Sequence, residues 1–248
     1  MDGELVIVPD PEALAREAAQ RFSDLDREAV ESRGRFSVVL SGGSTPGALY
    51  RLLAEEPHCS QIIWAQVHLF WADERCVPPH DPGSNYRLAY EALIAPTRIP
   101  AENVHRVRGE LAPRAAARAY DRELRRFFRA PRPRFDLVLL GLGSDGHTAS
   151  LFPGSGALEE TEQLAVATTA FYDNRPSERV TLTLPALNAA RQVLFLVSGL
   201  EKAEIVQAVL ADVEARLPAR RIRPVAGQLT WLLDAAAAAR VRVPSVSP

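Results

Sequence analysis

The chain has 248 residues, 47% hydrophobic and 24% charged, and its 29 Lys and Arg against 31 Asp and Glu leave a formal charge of −2. That balance is ordinary for a soluble globular protein, and it lacks the basic excess of a general nucleic-acid binder while leaving room for a local basic pocket. Two cysteines, Cys59 and Cys76, are too few for a disulfide framework or a four-cysteine zinc site and read as free thiols of a reducing compartment.

The N-terminal stretch MDGELVIVPDPEALA has no basic start and an apolar run of only four residues. That is too short for a signal h-region or a membrane span, and the protein is expected in the cytoplasm. In chain order, Leu5–Val8 reads as a strand, Pro11–Ser32 as an amphipathic helix and Phe36–Leu40 as a second strand. Val67–Trp71 is the next strand, followed by helical patterns at Asn85–Ile94 and Arg114–Arg129. Strands are then predicted at Phe135–Gly141, Leu164–Thr169, Val180–Leu184 and Gln192–Gly199, with a helix at Leu200–Arg216. AAAAARVRVPSVSP reads as a helix end and a frayed tail.

Short β-branched runs alternating with amphipathic segments predict an α/β fold whose mostly parallel sheet is covered on both faces. No linker or solenoid repeat interrupts the chain, so one domain over residues 1–248 is expected. The six arginines of Arg114–Arg129, partly offset by Asp121 and Glu123, read as a solvated face. Ligands of such sheets bind beyond the carboxyl ends of the strands, and the two glycine-rich loops each follow a strand.

The first loop, SGGSTPGALYRLL (Ser41–Leu53), opens a helix. Gly42 and Gly43 permit close backbone approach, and Pro46 suits the first helical turn. Ser44 and Thr45 place hydroxyls and amides where the helix dipole favours an anion. The lysine of a P-loop is missing, so a sugar phosphate fits better than a nucleoside triphosphate; an N-capped helix after a tight turn is the plain alternative. Arg75, Arg179 and Lys202 are the cations that could complete a phosphate site, although each alone is also readable as an ordinary surface side chain.

The second loop, GLGSDGHTASLFPG, carries Gly141, Gly143 and Gly146 in dinucleotide-loop spacing. A dinucleotide loop needs a helix directly behind it, whereas HTASLF runs into Pro153 and Gly154 within two turns. His147 is the informative residue, because an imidazole takes and returns protons near neutral pH. It reads as a base held over a pocket or as a cap of a short helix. Asp145 reads as the group that orients it, as a binder of substrate hydroxyls, or as an Asx-turn stabiliser. Amides of Gly141, Gly143 and Gly146 are candidate donors to a developing oxyanion. Neither G-x-S-x-G nor a triad order appears, so Ser150 is expected to be structural.

The blocks LSGGSTPGALY, VHLFWADERCVPPHDPGSNYRLAYEALI, GLGSDGHTASLFPG, RPSERVTLTLPALN, SGLEKAEIV and AGQLTWLLDAAAA resemble the 6-phosphogluconolactonases, in order and over essentially the whole chain. The resemblance implies a Rossmann-like three-layer α/β/α fold and a cytosolic hydrolase of the oxidative pentose phosphate pathway acting on a sugar-phosphate lactone. It also implies no nucleotide cofactor and no required metal, and the chain is expected to bind neither nucleic acid nor membrane and to be a monomer or weak homo-oligomer. By similarity His147 is the catalytic base, with Asp145 beside it, and Ser44, Thr45, Arg179 and Lys202 are phosphate-site residues next to Gly42 and Gly43. Asp73 and Arg75 match the family's Asp-Glu-Arg block. RPSER departs from the family pattern before Arg179, which leaves the alignment there open. The rival reading is glucosamine-6-phosphate isomerase/deaminase, which has a glutamate five residues beyond the histidine where this chain has Phe152. A non-catalytic sugar-phosphate-binding protein is the alternative outside catalysis.

Overall fold

A computed structural model describes residues 3–170, 176–211 and 216–241. Its strands are β1 (Glu4–Val8), β2 (Phe36–Leu40), β3 (Val67–Trp71), β4 (Asp73–Arg75), β5 (Leu137–Leu140), β6 (Ala165–Thr169), β7 (Glu178–Leu182), β8 (Gln192–Val197) and β9 (Gln228–Asp234). The helices are α1 (Pro11–Arg33), α2 (Ser44–Leu53), α3 (His58–Gln61), α4 (Asn85–Ala89), α5 (Pro113–Phe128), α6 (Leu184–Leu187) and α7 (Ala203–Ala211). The start of α1 was legible in the sequence: Asp10 accepts from the Ala13 amide at 2.7 Å, Pro11 follows, and Gly34 closes the helix in the left-handed region at φ 71°.

Six strands form one sheet in the order β1-β9-β8-β5-β2-β3, every pair parallel. Helices lie on both sides of it, giving the expected three-layer α/β/α architecture. Every residue of β2 and β5 is buried, as central strands covered on both faces require. The chain passes from β2 to its neighbour β3 on one side and returns as β5 on the other. The carboxyl ends of β2 and β5 are therefore the topological switch point, where diverging loops leave a crevice. Both glycine-rich loops start there.

Several expected elements differ. Leu164–Thr169 and Val180–Leu184 do not join the parallel sheet; their counterparts β6 and β7 pair antiparallel in a separate sheet with β4. The β7 strand stops at Leu182 because Leu184 and Pro185 open α6. Neither β4, three charged residues, nor β9 was among the predicted strands. Only Ala72 separates β3 from β4. Its amide donates to the Leu40 carbonyl at 2.8 Å and its carbonyl accepts from Leu182 at 2.7 Å. The small sheet is thereby tied to the carboxyl end of β2. Asn85–Ile94 is helical over its predicted length, but from Tyr90 it widens from α to π geometry, in which the Ala95 amide reaches the Tyr90 carbonyl at 2.9 Å. The predicted helix at Leu200 begins as a tight turn through Lys202 and continues as α7 to Ala211; residues 212–215 lie outside the described set. The alanine run at 235–239 forms turns, and the tail beyond residue 241 is likewise outside it.

Within β3, His68 Nδ1 lies 3.2 Å from His105 Nε2, and His105 Nδ1 lies 2.9 Å from Glu123. Burial first, then the neighbouring His105 and Arg35, push the His68 imidazole down to about 4. An unfolded chain binds a proton at His68 below about pH 6.5 while the folded chain resists it, so stability falls with pH between that value and about 4. Partial solvent exposure screens the effect to on the order of 1 kcal/mol. His68→Phe is expected to shrink the difference in Tm between pH 7 and pH 4.5 by about 2–4 °C, measured by thermal melts at both pH values.

Candidate active site

The chain leaves β5 into a turn held by its own backbone. The Gly143 amide donates to the His147 carbonyl at 2.8 Å, the Gly146 amide to the Gly143 carbonyl at 3.0 Å, and Thr148 Oγ1 to the Gly141 carbonyl at 2.9 Å. Gly146 sits at φ 80°, a region closed to most side chains. A Cβ on Gly143 would lie 2.0 Å from His147 Nδ1 and 2.8 Å from Asp145 Oδ1, so this glycine is required by the imidazole itself. Asp145 Oδ1 accepts from the His147 amide at 3.1 Å and faces His147 Nδ1 at 2.5 Å. Two of the alternatives for Asp145 therefore hold at once: it closes an Asx turn and it orients the ring. An ionised carboxylate only accepts, so Nδ1 carries the proton and Nε2 is the basic nitrogen.

No helix follows this turn; Thr148 and Leu151 pair in a short bridge. The helix-cap reading of His147 and the dinucleotide reading both lose their structural requirement. One expectation is corrected. The amides of Gly143 and Gly146 are engaged within the turn and do not point to an oxyanion, because the same bonds that fix the imidazole consume them.

The loop after β2 is clamped by buried Tyr50, whose hydroxyl accepts from the Ser41 amide at 2.9 Å and donates to the Ser41 carbonyl at 2.7 Å. Ser41 Oγ donates across to the Leu139 carbonyl of β5 at 2.8 Å, fastening the two switch-point strands together. Gly43 caps α2 at φ 109°, Ser44 is exposed and Thr45 half-buried, so the first turn of α2 opens to solvent. Gly42 has a different reason to be glycine: a Cβ there would lie 1.9 Å from Asn85 Oδ1. Close approach at Gly42 is thus to protein.

The small sheet supplies the charged wall. Asp73 pairs with Thr181 and Arg75 with Arg179 in the antiparallel register, so these four side chains share one face. Arg179, only 4% exposed, brings Nη1 to 3.8 Å from Asp73 Oδ2. Ser150 Oγ, fully buried, donates to the same oxygen at 2.6 Å. The Arg179 guanidinium lies 5.8 Å from the Phe152 ring centre, and Phe152 lies 4.5 Å from the His147 ring. Asp73, Arg179, Phe152 and His147 therefore form one connected wall. Lys202 Nζ donates to the Leu142 carbonyl at 2.8 Å, which fastens its charge to the histidine turn. Arg75 Nη1 instead donates to the Gly83 carbonyl at 2.6 Å and ties down the loop after β4.

Two site residues were missed from sequence. Buried Glu74 accepts from the amides of Arg75, Asn85 and Tyr86, each at 2.7 Å, and from Ser84 Oγ at 3.1 Å. Burial pushes its carboxyl up against the pull of those amides. Asn85, at the start of α4, donates to Asp73 (below). The Ser-Asn-Tyr run after Gly83 was a readable N-cap signal, with Ser84 Oγ accepting from the Arg87 amide at 3.2 Å.

Residues 9–231 match the sequence model of the glucosamine-6-phosphate isomerases/6-phosphogluconolactonase family. The chain belongs to this family. A 6-phosphogluconolactonase of Nostoc sp. is 42% identical over 96% of this chain and 98% of its own. The 6-phosphogluconolactonase of Rattus norvegicus is 39% identical over 98% of this chain and 95% of its own. The solved 6-phosphogluconolactonase from Trypanosoma cruzi superposes with a TM-score of 0.87 at 30% identity, covering 98% of this chain and 99% of that one. A monomeric glucosamine-6-phosphate deaminase superposes at 0.81 with 21% identity over 96% and 99% of the two chains, a likeness of fold alone. The family match spans the whole site, from the Ser41 loop to Lys202.

Proposed function

We propose that the protein hydrolyses 6-phospho-D-glucono-1,5-lactone to 6-phospho-D-gluconate, the second step of the oxidative pentose phosphate pathway, with His147 as the general base. The observation that carries the mechanism is the Asp145–His147 pair at 2.5 Å, set at the end of β5 and in contact through Phe152 with the buried Arg179. The 6-phosphate is held by the open first turn of α2 at Ser44 and Thr45 and by Arg179. Binding at this remote group positions the lactone ring. His147 Nε2 takes a proton from water as its oxygen attacks C1, and the imidazolium is stabilised by the Asp145 carboxylate. The tetrahedral intermediate collapses by breaking the bond from C1 to the ring oxygen, and the imidazolium returns its proton to that oxygen. One water is consumed, and no redox cofactor is needed to balance the step. Lys202, fastened at Leu142, lends its charge to the substrate over the same turn.

The 6-phosphogluconolactonase relatives support the lactonase side of the family name. Phe152, 8% exposed and against His147, supports it again, since the isomerase reading wants an acid at that place. Half-buried free Cys59 and Cys76 are consistent with a reducing compartment, and we place the enzyme in the cytoplasm as a single domain, monomeric or weakly self-associating. Among the described residues no helix is long and apolar enough to cross a membrane, and no group of three or more His, Cys, Asp or Glu could hold a metal ion.

Lactone hydrolysis followed by pH-stat, with the spontaneous rate subtracted, tests the activity; ammonia release from glucosamine-6-phosphate would favour the isomerase. Arg179→Ala and Lys202→Ala are each expected to weaken 6-phosphogluconate binding by about tenfold or more, the scale of one lost charge-assisted hydrogen bond. Calorimetric titration checks this, and wild-type affinity in both variants would misplace the phosphate site.

A further inference from the structure

Asn85 stands where the two halves of the site meet. Its Nδ2 donates to Asp73 Oδ1 at 3.1 Å and to the Asp73 carbonyl at 2.9 Å. Both partners are acceptors, so the amide orientation is dictated by the hydrogen bonding. The other atom of the amide, Oδ1, is buried and has no hydrogen-bond partner among the described residues. It faces Gly42, where a Cβ would lie 1.9 Å away. The residue as a whole is 3% exposed, so Oδ1 meets the loop backbone rather than a ligand.

The position of Asn85 is itself fixed. Glu74 accepts its amide at 2.7 Å, and Ser84 caps the helix it begins. Asp73 has both carboxylate oxygens engaged, Oδ1 by Asn85 and Oδ2 by Ser150, with Arg179 beside Oδ2. One side chain therefore touches the backbone of the loop that opens α2 and the carboxylate beside the buried arginine.

We infer that Asn85 is a positioning residue that sets the spacing between the Gly42–Thr45 loop and Arg179, so that both reach one phosphate. Gly42 serves that contact and not substrate approach. A buried amide wedged between two elements holds their separation because neither neighbour can close in without a clash, and the bond to Asp73 keeps it from rotating away. The inference rests on the phosphate site proposed above and adds a residue that does not touch the substrate.

Asn85→Ala is expected to raise KM for the phosphorylated lactone, and Kd for 6-phosphogluconate, by about tenfold, with kcat changed less than about threefold. Hydrolysis of unphosphorylated glucono-1,5-lactone should keep its kcat/KM, which general loss of structure would not allow. The contact itself is read by a double-variant cycle. Gly42→Ala in the wild-type background should weaken 6-phosphogluconate binding strongly, whereas Gly42→Ala added to Asn85→Ala should cost less than threefold, because the clashing oxygen is gone. If Asn85→Ala does not fold, Asn85→Ser with and without Gly42→Ala gives the same comparison. Affinity within twofold of wild type in folded Asn85→Ala, or strictly additive losses in the cycle, overturns the inference. Arg179→Ala separates the two levels. Weak binding in Arg179→Ala with normal binding in Asn85→Ala sinks Asn85 alone; normal binding in Arg179→Ala sinks the phosphate site beneath it.

Discussion

His147→Ala is expected to lower kcat for lactone hydrolysis by about 10²–10⁴, the contribution of one general acid–base residue. Binding of 6-phosphogluconate should stay nearly unchanged, since the ring bonds to Asp145 and meets Arg179 through Phe152 rather than directly. In the mechanism proposed above, the imidazole takes a proton from water as its oxygen attacks C1 and returns it to the ring oxygen as the lactone opens, so the variant lacks the acid–base group at both steps. A pH-stat comparison of wild type and variant, each corrected for spontaneous opening, reads the effect directly. A folded His147→Ala with turnover within threefold of wild type would remove His147 from the mechanism and leave the turn a structural feature.

Gly143→Ala is expected to have the next largest effect, and it tests geometry where His147→Ala tests chemistry. The added methyl would fall 2.0 Å from Nδ1, 2.2 Å from Cε1 and 2.8 Å from Asp145 Oδ1, so both members of the pair must move. The turn leaves little slack: the Gly143 amide is bound to the His147 carbonyl, and the Gly146 amide to Gly143 itself. A displacement of about 1 Å at a catalytic group costs about 10²-fold in rate. The expected result is a kcat approaching that of His147→Ala with KM little altered. If turnover is near normal, the imidazole acts from a position other than the one over Gly143.

Much of the fold was readable because hydrophobic burial writes a local pattern. The run Leu137–Leu140, wholly apolar, and Phe36–Leu40, apolar but for Ser37, are what strands covered on both faces require, and Asp10, Pro11 and Gly34 mark the ends of α1 by their own backbone chemistry. β4 could not be read that way. Asp73, Glu74 and Arg75 carry no apolar period, and they are a strand only because β7 lies alongside. The histidine turn after β5 fell between these cases. Its glycines and His147 announced something functional, but the spacing alone matched a cofactor loop, and the two are told apart by whether a helix follows.

By itself, then, the sequence determined an alternating α/β chain, two glycine-rich turns behind buried strands, and a histidine whose neighbours permit it to act as a base. These are properties of short segments, set by side-chain burial and backbone freedom within a few residues. Tertiary structure alone decided that β2 and β5 lie side by side at the switch point, so that the loops carrying Ser44 and His147 start from neighbouring strand ends. It also decided which glycine serves which purpose: Gly143 admits an imidazole, Gly42 admits Asn85, and the Gly143 and Gly146 amides are engaged within the turn that holds His147. Such assignments depend on atoms distant in sequence, Asn85 from Gly42 and Arg179 from Asp73, and hydrogen bonding and steric exclusion between them exist only once the chain has closed on itself.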